Sequence, residues 1–292
     1  MAASLRRRNA LIGLSFVLPN FLGFALLTLV PVLALFYLSF TNWNVFGQAD
    51  WTGLANLRRL AGDRSFWTAL RNTLYFTGVH VPVTLVLSLA LALLLNTRLR
   101  GVRFFRTAAF FPYITSIVAI AAVWNMMFSP ETGPVNQLLG AVGVAGPPGW
   151  TNSRDWSMPS VIIVGVWRDL GFYMLLFLAG LQTIPRDLYE AATIDGAGAW
   201  QRFRHVTLPG LRPTTFFVTV VLTIGSLKVF DLILVLTNGG PGQSTLVLSQ
   251  YIYQKGFVQN QFGYASAVSV VLFGICIAVT LVQFLVNRRR SA

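Results

Sequence analysis

Long runs of apolar residues dominate the chain and are separated by short polar segments. A helix needs about 20 apolar residues to cross the hydrocarbon core of a bilayer. Six segments reach that length, and four of the six contain no Asp, Glu, Lys or Arg. The pattern therefore predicts six membrane-spanning helices: Ala10–Phe40, Thr73–Leu95, Thr107–Phe128, Pro159–Leu181, Thr214–Thr237 and Tyr264–Val286.

The first apolar segment is longer than one straight span requires, and it contains Pro19 and Pro31. Proline removes a helical hydrogen bond and kinks the helix. The segment is also far longer than the roughly 7–15 apolar residues of a signal peptide, and no convincing cleavage site follows it. We expect an uncleaved first span that is bent or only partly embedded.

The composition excludes an ordinary soluble protein. Only 11% of the residues are charged and 55% are hydrophobic, whereas soluble domains carry about 25% charged residues. The net charge of +13 would suggest nucleic-acid binding in a soluble chain. Here the positive charges lie mainly in short segments between apolar runs, a distribution that sets membrane orientation. We therefore expect membrane lipid around the chain and no nucleic-acid partner.

The arginine distribution predicts the orientation of the spans. If the N-terminus is cytosolic, the outer set is Arg58, Arg59, Arg64, Arg71, Arg154 and Lys255. The inner set is larger by eight and consists of Arg6, Arg7, Arg8, Arg98, Arg100, Arg103, Arg106, Arg186, Arg202, Arg204, Arg212, Arg288, Arg289 and Arg290. By the positive-inside rule, both termini and the segment between the fourth and fifth spans are expected in the cytosol.

That segment contains a polar stretch, which we call the Glu190–Pro209 loop. Thr183-Ile184-Pro185 before it is typical of a helix start, and Gly196 and Gly198 permit a turn. We expect a helix, an elbow of small residues and a second short helix over 199–206 that ends before Pro209. An amphipathic segment lying on the membrane surface explains the same pattern, so the residues alone leave both interpretations open.

The Glu190–Pro209 loop resembles the EAA signature of permease subunits of bacterial ABC importers, in which this loop forms a coupling helix that sits in a groove of the ATP-binding subunit. The residues that carry the resemblance, and that we take as the candidate coupling residues, are Glu190, Ala191, Ala192, Asp195, Gly196, Ala197, Leu208 and Pro209. Phe203 and Val206 fit the same pattern.

The resemblance extends over nearly the whole chain and is to the carbohydrate-type permeases, the relatives of the maltose and glycerol-3-phosphate importer subunits. It is carried by Asn72-Thr73, by Arg106 with Phe111-Pro112, and by Gly239-Gly240-Pro241. The run Lys228-Val229-Phe230-Asp231 is more similar to the first permease of such a pair than to the second.

The resemblance implies an all-α membrane protein with six transmembrane helices, a type I ABC importer transmembrane domain with a cytosolic coupling helix. The implied divisions are 1–68 for an N-terminal helix and first outer loop, 69–287 for the transmembrane domain and 288–292 for a basic tail. The implied function is import of a sugar or sugar derivative, including a glycerophosphodiester or amino sugar, across the bacterial plasma (inner) membrane.

The same resemblance implies several partners: a second permease that forms a heterodimer with this chain, two ATP-binding subunits and an extracytoplasmic solute-binding protein. The chain itself is expected to bind no cofactor or metal and to be no enzyme. Neither of its lysines, Lys228 and Lys255, stands in the Gly-x-x-x-x-Gly-Lys-Ser/Thr context of a phosphate-binding loop. ATP and magnesium are then used by the partner subunit.

Charges inside a bilayer are costly and rarely face lipid. Lys228 and Asp231 are three residues apart and are expected to share a helical face, either as a polar wall of the translocation path or as an ion pair that fixes helix packing. Arg168 and Asp169 are adjacent and are expected on different sides of the fourth helix, with Arg168 able to meet Asp231 across the bundle. Lys228, Asp231 and Arg168 are therefore the candidate residues of the translocation path, with a structural role as the alternative for Arg168. His80 is expected to be a packing residue.

Two other classes of protein are weighed against the importer. An ion-coupled secondary transporter of small polar solutes is expected to show broken helices and inverted repeats, and neither is evident in the sequence. An intramembrane enzyme needs a converging His/Glu or Ser/Lys constellation, and the spans contain only scattered single residues.

Overall fold

In a computed structural model the backbone is described for residues 2–97 and 101–291, and the side chains for 12–97 and 101–288. Of the arginines used in the charge count, Arg98 and Arg100 lie outside the described residues. The side chains of Arg6, Arg7, Arg8, Arg289 and Arg290 lie outside them as well.

The described chain is helical, and its longest connections are residues 39–54 and 142–156. Helix α1 (Ala2–Phe24) continues through a π-helical segment, Ala25–Leu29, into α2 (Val30–Leu38). The other helices are α3 (Ala55–Ala61), α4 (Arg64–Leu95), α5 (Val102–Ile114), α6 (Ile117–Met127), α7 (Pro134–Ala141), α8 (Ser157–Thr183), α9 (Arg186–Ile194), α10 (Ala199–Arg202), α11 (Leu208–Gly210), α12 (Arg212–Leu227), α13 (Asp231–Leu236), α14 (Leu248–Tyr253) and α15 (Phe262–Ser291).

Within the described residues, four helical stretches are long and apolar enough to cross a membrane unbroken: Ile12–Leu38, Arg64–Leu95, Ser157–Thr183 and Phe262–Arg288. Two further stretches qualify only as bent pairs, α5 with α6 at 99° and Ala199–Gly210 with α12 at 64°. If each bent pair is counted as one span, the total is six, which is the predicted number, although the second pair begins at Ala199 and the predicted fifth span begins at Thr214.

The first span continues through Pro19 and contains a π-helical segment, Ala25–Leu29, before Pro31, so the expected bend or partial embedding stays a prediction. The predicted third span, Thr107–Phe128, is not one helix, because the backbone becomes extended at Thr115 and Ser116 between α5 and α6. The length of an apolar run indicates a membrane span, but it does not show that the helix is broken at Thr115 and Ser116.

The chain divides into two compact units, one formed by residues up to 63 with 252–273 and the other by 64–251 with the residues from 274 onward. In the first unit, the hydroxyl group of Tyr264 donates a hydrogen bond of 2.5 Å to Asp63. The guanidinium of Arg59 lies 4.3 Å from the centre of the same ring and donates a hydrogen bond to Gln261 at 2.9 Å.

Helix α8 is the central element of the second unit and packs against α4, α5 and α12. Its contact with α5 is close because position 171 is a glycine: a Cβ atom there would lie 1.9 Å from the carbonyl oxygen of Ala109. Small residues permit this kind of close helix packing inside membranes. Helix α8 therefore fixes the positions of the elements that carry the candidate sites.

Two separate apolar clusters fill the second unit. One joins Phe76, Val161 and Leu232 with neighbouring residues of α6 and α13. The other joins Met174 and Phe177 with residues of α4 and α12, and it extends to the base of the Glu190–Pro209 loop. Polar side chains collect between the two clusters, and they form the cavity described below.

Candidate coupling loop and translocation cavity

The Glu190–Pro209 loop has the predicted helix–elbow–helix shape. Helix α9 ends at Ile194, the elbow spans 195–198, and α10 begins at Ala199. Gly196 has a φ of +76°, a conformation that side chains with a Cβ rarely adopt. Gly198 is extended at φ −69°, and its N–H donates a hydrogen bond of 2.7 Å to the side chain of Gln201. Gly196 therefore provides the left-handed turn of the elbow, whereas Gly198 caps the start of α10.

The predicted end of the second helix before Pro209 is wrong. Helix α10 runs into a π-helical segment, Phe203–Thr207, and then into α11, which contains Pro209. The proline lies in the first turn of α11, where its missing N–H is tolerated. The helical direction changes only between Gly210 and α12, where the bend is 64°.

The base of the loop is tied to the protein core. The hydroxyl groups of Tyr189 and Thr207 are 2.9 Å apart and join α9 to the π-helical segment. Ile184 and Leu211, which flank the loop on either side, are buried in the same apolar cluster. Across the elbow, Arg202 donates a hydrogen bond of 3.1 Å to Thr193. These contacts make the loop a rigid extension of the bundle.

The tip of the loop is apolar and exposed. Ile194 is 86% exposed and Trp200 is 69% exposed, and the carboxylate of Glu190 lies on the same exposed loop. Among the predicted coupling residues, only Ala192, Ala197 and Pro209 are partly covered. Isolated apolar residues at a surface are ordinary, but two large ones beside an anchored elbow form a surface suited to a protein partner.

A polar cavity of about 240 Å³ lies between the two apolar clusters of the second unit. Its lining comes from α4, α5, α6, α8, α12 and α13, and from the residues that connect α12 to α13. The lining includes all three predicted path residues, Arg168, Lys228 and Asp231. The structure therefore brings together residues that are 63 positions apart in the sequence.

Arg168 and Asp169 form an ion pair, with Nη1 and Oδ1 3.3 Å apart. The expectation that they point to different sides of α8 is wrong, because the long arginine side chain turns back toward its neighbour. The guanidinium of Arg168 also lies 5.4 Å from the ring centre of Tyr113, close enough for a cation–π contact. No ion pair joins Arg168 to Asp231 within the described residues, although both line the cavity.

His80 links this ion pair to α12. Its Nδ1 lies 2.9 Å from the hydroxyl of Ser226, and its Nε2 lies 3.5 Å from Oδ2 of Asp169. The ring is 2% exposed and stacks on Phe76 with the ring centres 4.9 Å apart. The prediction of a packing residue is confirmed, but its contacts with Asp169 and Ser226 were not predicted, because those residues come from two other helices.

The predicted shared face of Lys228 and Asp231 is wrong because the helix is broken between them. Helix α12 ends at Leu227 and α13 begins at Asp231. Lys228 thus lies at a helix C-terminus and Asp231 in a first helical turn, the ends that favour a cation and an anion respectively. Both side chains are exposed and no ion pair joins them among the described residues. The alternative of a mutually satisfied pair is therefore also wrong.

Asn72 and Thr73 have a structural role that the sequence did not reveal. The amide of Asn72 donates hydrogen bonds to the carbonyl oxygens of Gln243 and Leu246, at 2.8 and 2.9 Å. Thr73 accepts a hydrogen bond of 2.9 Å from the N–H of Leu248. The two residues fasten α4 to the connection that follows α13. The predicted turn within that connection is confirmed, with positive φ at Gly239 and Gly242.

The sequence matches known transport proteins over its whole length. Residues 81–292 match the family model described as binding-protein-dependent transport system inner membrane component. The lactose transport system permease protein of Rhizobium radiobacter is 39% identical over 294 residues, which cover 99% of this chain and 98% of that protein. The trehalose/maltose transport system permease protein of Thermococcus litoralis is 34% identical, with the same coverage of each chain.

The fold matches a solved ABC importer. A chain from the crystal structure of a bacterial ABC transporter involved in the import of the acidic polysaccharide alginate superimposes with a TM-score of 0.86. It is 26% identical, and the match covers 99% of each chain. A crystal structure of the alginate transporter in complex with an alginate pentasaccharide-bound periplasmic protein also matches, with a TM-score of 0.84, 26% identity and coverage of 97% of this chain and 96% of that one.

These matches decide between the classes weighed above. Broken helices are expected of a secondary transporter, and α12 and α13 do form one broken element. The helices therefore do not exclude a secondary transporter, and the family match decides in favour of the importer. The described helices have the architecture of a type I ABC transporter transmembrane domain in a multi-pass inner membrane protein. The chain belongs to the family of binding-protein-dependent transport system inner membrane components.

Proposed function

We propose that this chain is the permease subunit of an ATP-driven importer that moves a sugar or sugar derivative into the cell. It works without catalytic chemistry of its own, and ATP is hydrolysed by a separate subunit. A second permease completes the path, and an extracytoplasmic binding protein delivers the solute. The lactose and trehalose/maltose relatives support a carbohydrate cargo.

The anchored, exposed elbow of the Glu190–Pro209 loop carries this proposal. A docking loop must meet its partner with an exposed surface and must be rigidly joined to the part that it moves. Ile194 and Trp200 supply the exposed apolar surface, and the contacts of Tyr189 and Leu211 supply the rigid joint. Both termini and this loop lie on the cytosolic side, as the arginine distribution favours.

The cavity lined by Arg168, Lys228 and Asp231 is one wall of the translocation path. Its volume of about 240 Å³ is below the roughly 300–1,000 Å³ typical of ligand sites. A single chain therefore holds only part of the solute, and the second permease supplies the facing wall. Displacement of the Glu190–Pro209 loop reaches this wall through α8 and α12, which flank the loop and line the cavity.

Substitution of Gly196 by proline tests the coupling assignment. Proline is fixed near φ −65° and cannot adopt the φ of +76° at this position, so the elbow changes shape while the spans keep their sequence. We expect Gly196→Pro to insert into the membrane at the normal level and to lose solute uptake together with capture of the ATP-binding subunit.

The matched control is Gly198→Ala. Gly198 has an ordinary φ of −69°, and a Cβ added there would lie 3.7 Å from the Gln201 side chain, an ordinary contact distance. This variant should capture the ATP-binding subunit and import solute as the unmodified protein does. Uptake at the normal rate in Gly196→Pro would contradict the assignment of the loop.

A further inference from the structure

The charged groups on the cavity wall occur as two cations and two anions. Arg168 and Lys228 are the cations, and Asp169 and Asp231 are the anions. Arg168 and Asp169 neutralise each other, because they form an ion pair at 3.3 Å. Their side chains are 28% and 17% exposed, so the pair is a partly covered portion of the wall.

Lys228 and Asp231 are in a different state. Both are exposed on the cavity wall, and neither side chain has an ion-pair or hydrogen-bond partner within the part of the chain that the structure describes. The helix break holds them apart, with Val229 and Phe230 between the end of α12 and the start of α13. Charged groups in a membrane interior without partners are costly, so a ligand that pairs with both is favoured.

We propose that this wall selects uncharged sugars over acidic ones, an inference that rests on the proposed function and narrows its substrate class. A hydroxyl group both donates and accepts hydrogen bonds, so neighbouring hydroxyls of one sugar ring donate to Asp231 and accept from Lys228. The ring of Tyr113, stacked on Phe172 at 4.3 Å, is an aromatic surface on the same cavity.

An acidic sugar adds a negative charge to this arrangement. Its carboxylate pairs with Lys228 but then lies near Asp231, and repulsion between like charges is strong where water is scarce. A positively charged sugar meets the reverse problem at Lys228. The wall of this chain is in this respect suited to a different cargo from that of the alginate importer, whose substrate is an acidic polysaccharide.

Direct binding of two sugars to the purified importer, without binding protein, tests the inference. Equilibrium dialysis with radiolabelled lactose and radiolabelled digalacturonate gives the ratio of the two affinities. We expect the unmodified protein to prefer lactose by at least about tenfold, the equivalent of about 1.4 kcal/mol. Equal or tighter binding of digalacturonate, or binding of neither sugar, would overturn the inference.

Single and paired charge changes separate the effect of charge from a loss of shape. Asp231→Asn leaves a net positive wall and should shift the affinity ratio toward digalacturonate by about tenfold, while Lys228→Gln should shift it away. The exchange Lys228→Asp with Asp231→Lys restores zero net charge and should keep the preference for lactose. An unchanged ratio in Asp231→Asn would contradict the inference.

The outcome is separable from that of the coupling experiment. If digalacturonate binds better while the Glu190–Pro209 loop still captures the ATP-binding subunit, the importer assignment stands and the selectivity is wrong. If the loop variants leave uptake unchanged, the coupling assignment fails whichever sugar the cavity prefers.

Discussion

The Glu190–Pro209 loop and the cavity wall differ in the range of the contacts that make them. The elbow of the loop is built from neighbours in sequence, such as Gly198 with Gln201 and Arg202 with Thr193. The cavity joins His80 to Ser226 over 146 positions. A local feature of this kind can be recognised as a motif, whereas a wall assembled from six helices cannot be recognised before the helices are placed.

The same difference decides how much of the molecule was predictable. The elbow, the turn at Gly239 and four of the six apolar segments follow from residue types and spacing, and the structure contains these four segments as unbroken helices. The breaks at Thr115 and after Leu227 were missed, because apolar periodicity continues across both.

The contacts of the charged residues could not be predicted from the sequence, because they depend on side-chain rotamers and on how the helices pack. The pairing of Arg168 with Asp169 depends on the rotamer of a long side chain, and the role of His80 depends on how α4 packs against α8. The predicted shared face of Lys228 and Asp231 was wrong because it assumed a continuous helix across positions where the helix is broken. Arg168, Lys228 and Asp231 nevertheless line one cavity, in keeping with the rule that membrane interiors tolerate such charges only at protected positions.

The largest effect is expected from adding one methyl group in the helix bundle, whereas the same change in the loop should have no effect. In Gly171→Ala the new Cβ would lie 1.9 Å from the backbone oxygen of Ala109, so α5 and α8 must separate. The cost should exceed the roughly 1–3 kcal/mol of ordinary overpacking. We expect loss of monodisperse protein in detergent, measured by size-exclusion chromatography.

The same Gly→Ala change in the loop, Gly198→Ala, is the comparison for this result. It should leave the chromatographic profile unchanged, because the new methyl group meets only a flexible side chain. If Gly171→Ala remained folded and monodisperse, the close packing of α8 against α5 would be wrong.

A smaller effect is expected from the exposed tip of the loop. Trp200→Ala removes a ring that is 69% exposed, so the isolated chain should keep its thermal stability. Aromatic anchors at interfaces commonly contribute about 2 kcal/mol or more. We therefore expect about a 30-fold weaker affinity for the ATP-binding subunit, measured by titration of that subunit against the permease in nanodiscs.

Phe46 provides a matched control for an exposed aromatic residue. It is 85% exposed and lies in the segment between α2 and α3, far along the chain from the loop. Phe46→Ala should leave the affinity for the ATP-binding subunit unchanged. Equal losses in Phe46→Ala and Trp200→Ala would mean that the effect is not specific to the loop.

The central claim is that movement of the Glu190–Pro209 loop changes access to the cavity wall, and labelling of one residue on that wall tests it most directly. The variant Lys228→Cys is made in a Cys276→Ser background, because Cys276 is the sole native cysteine. The reconstituted importer is then treated with a membrane-impermeant thiol reagent. The labelling rate from the outer side should change several-fold on addition of ATP, and the added substitution Gly196→Pro should abolish that change. An ATP-dependent change of the same size with Gly196→Pro, or no change with the native loop, would contradict the account.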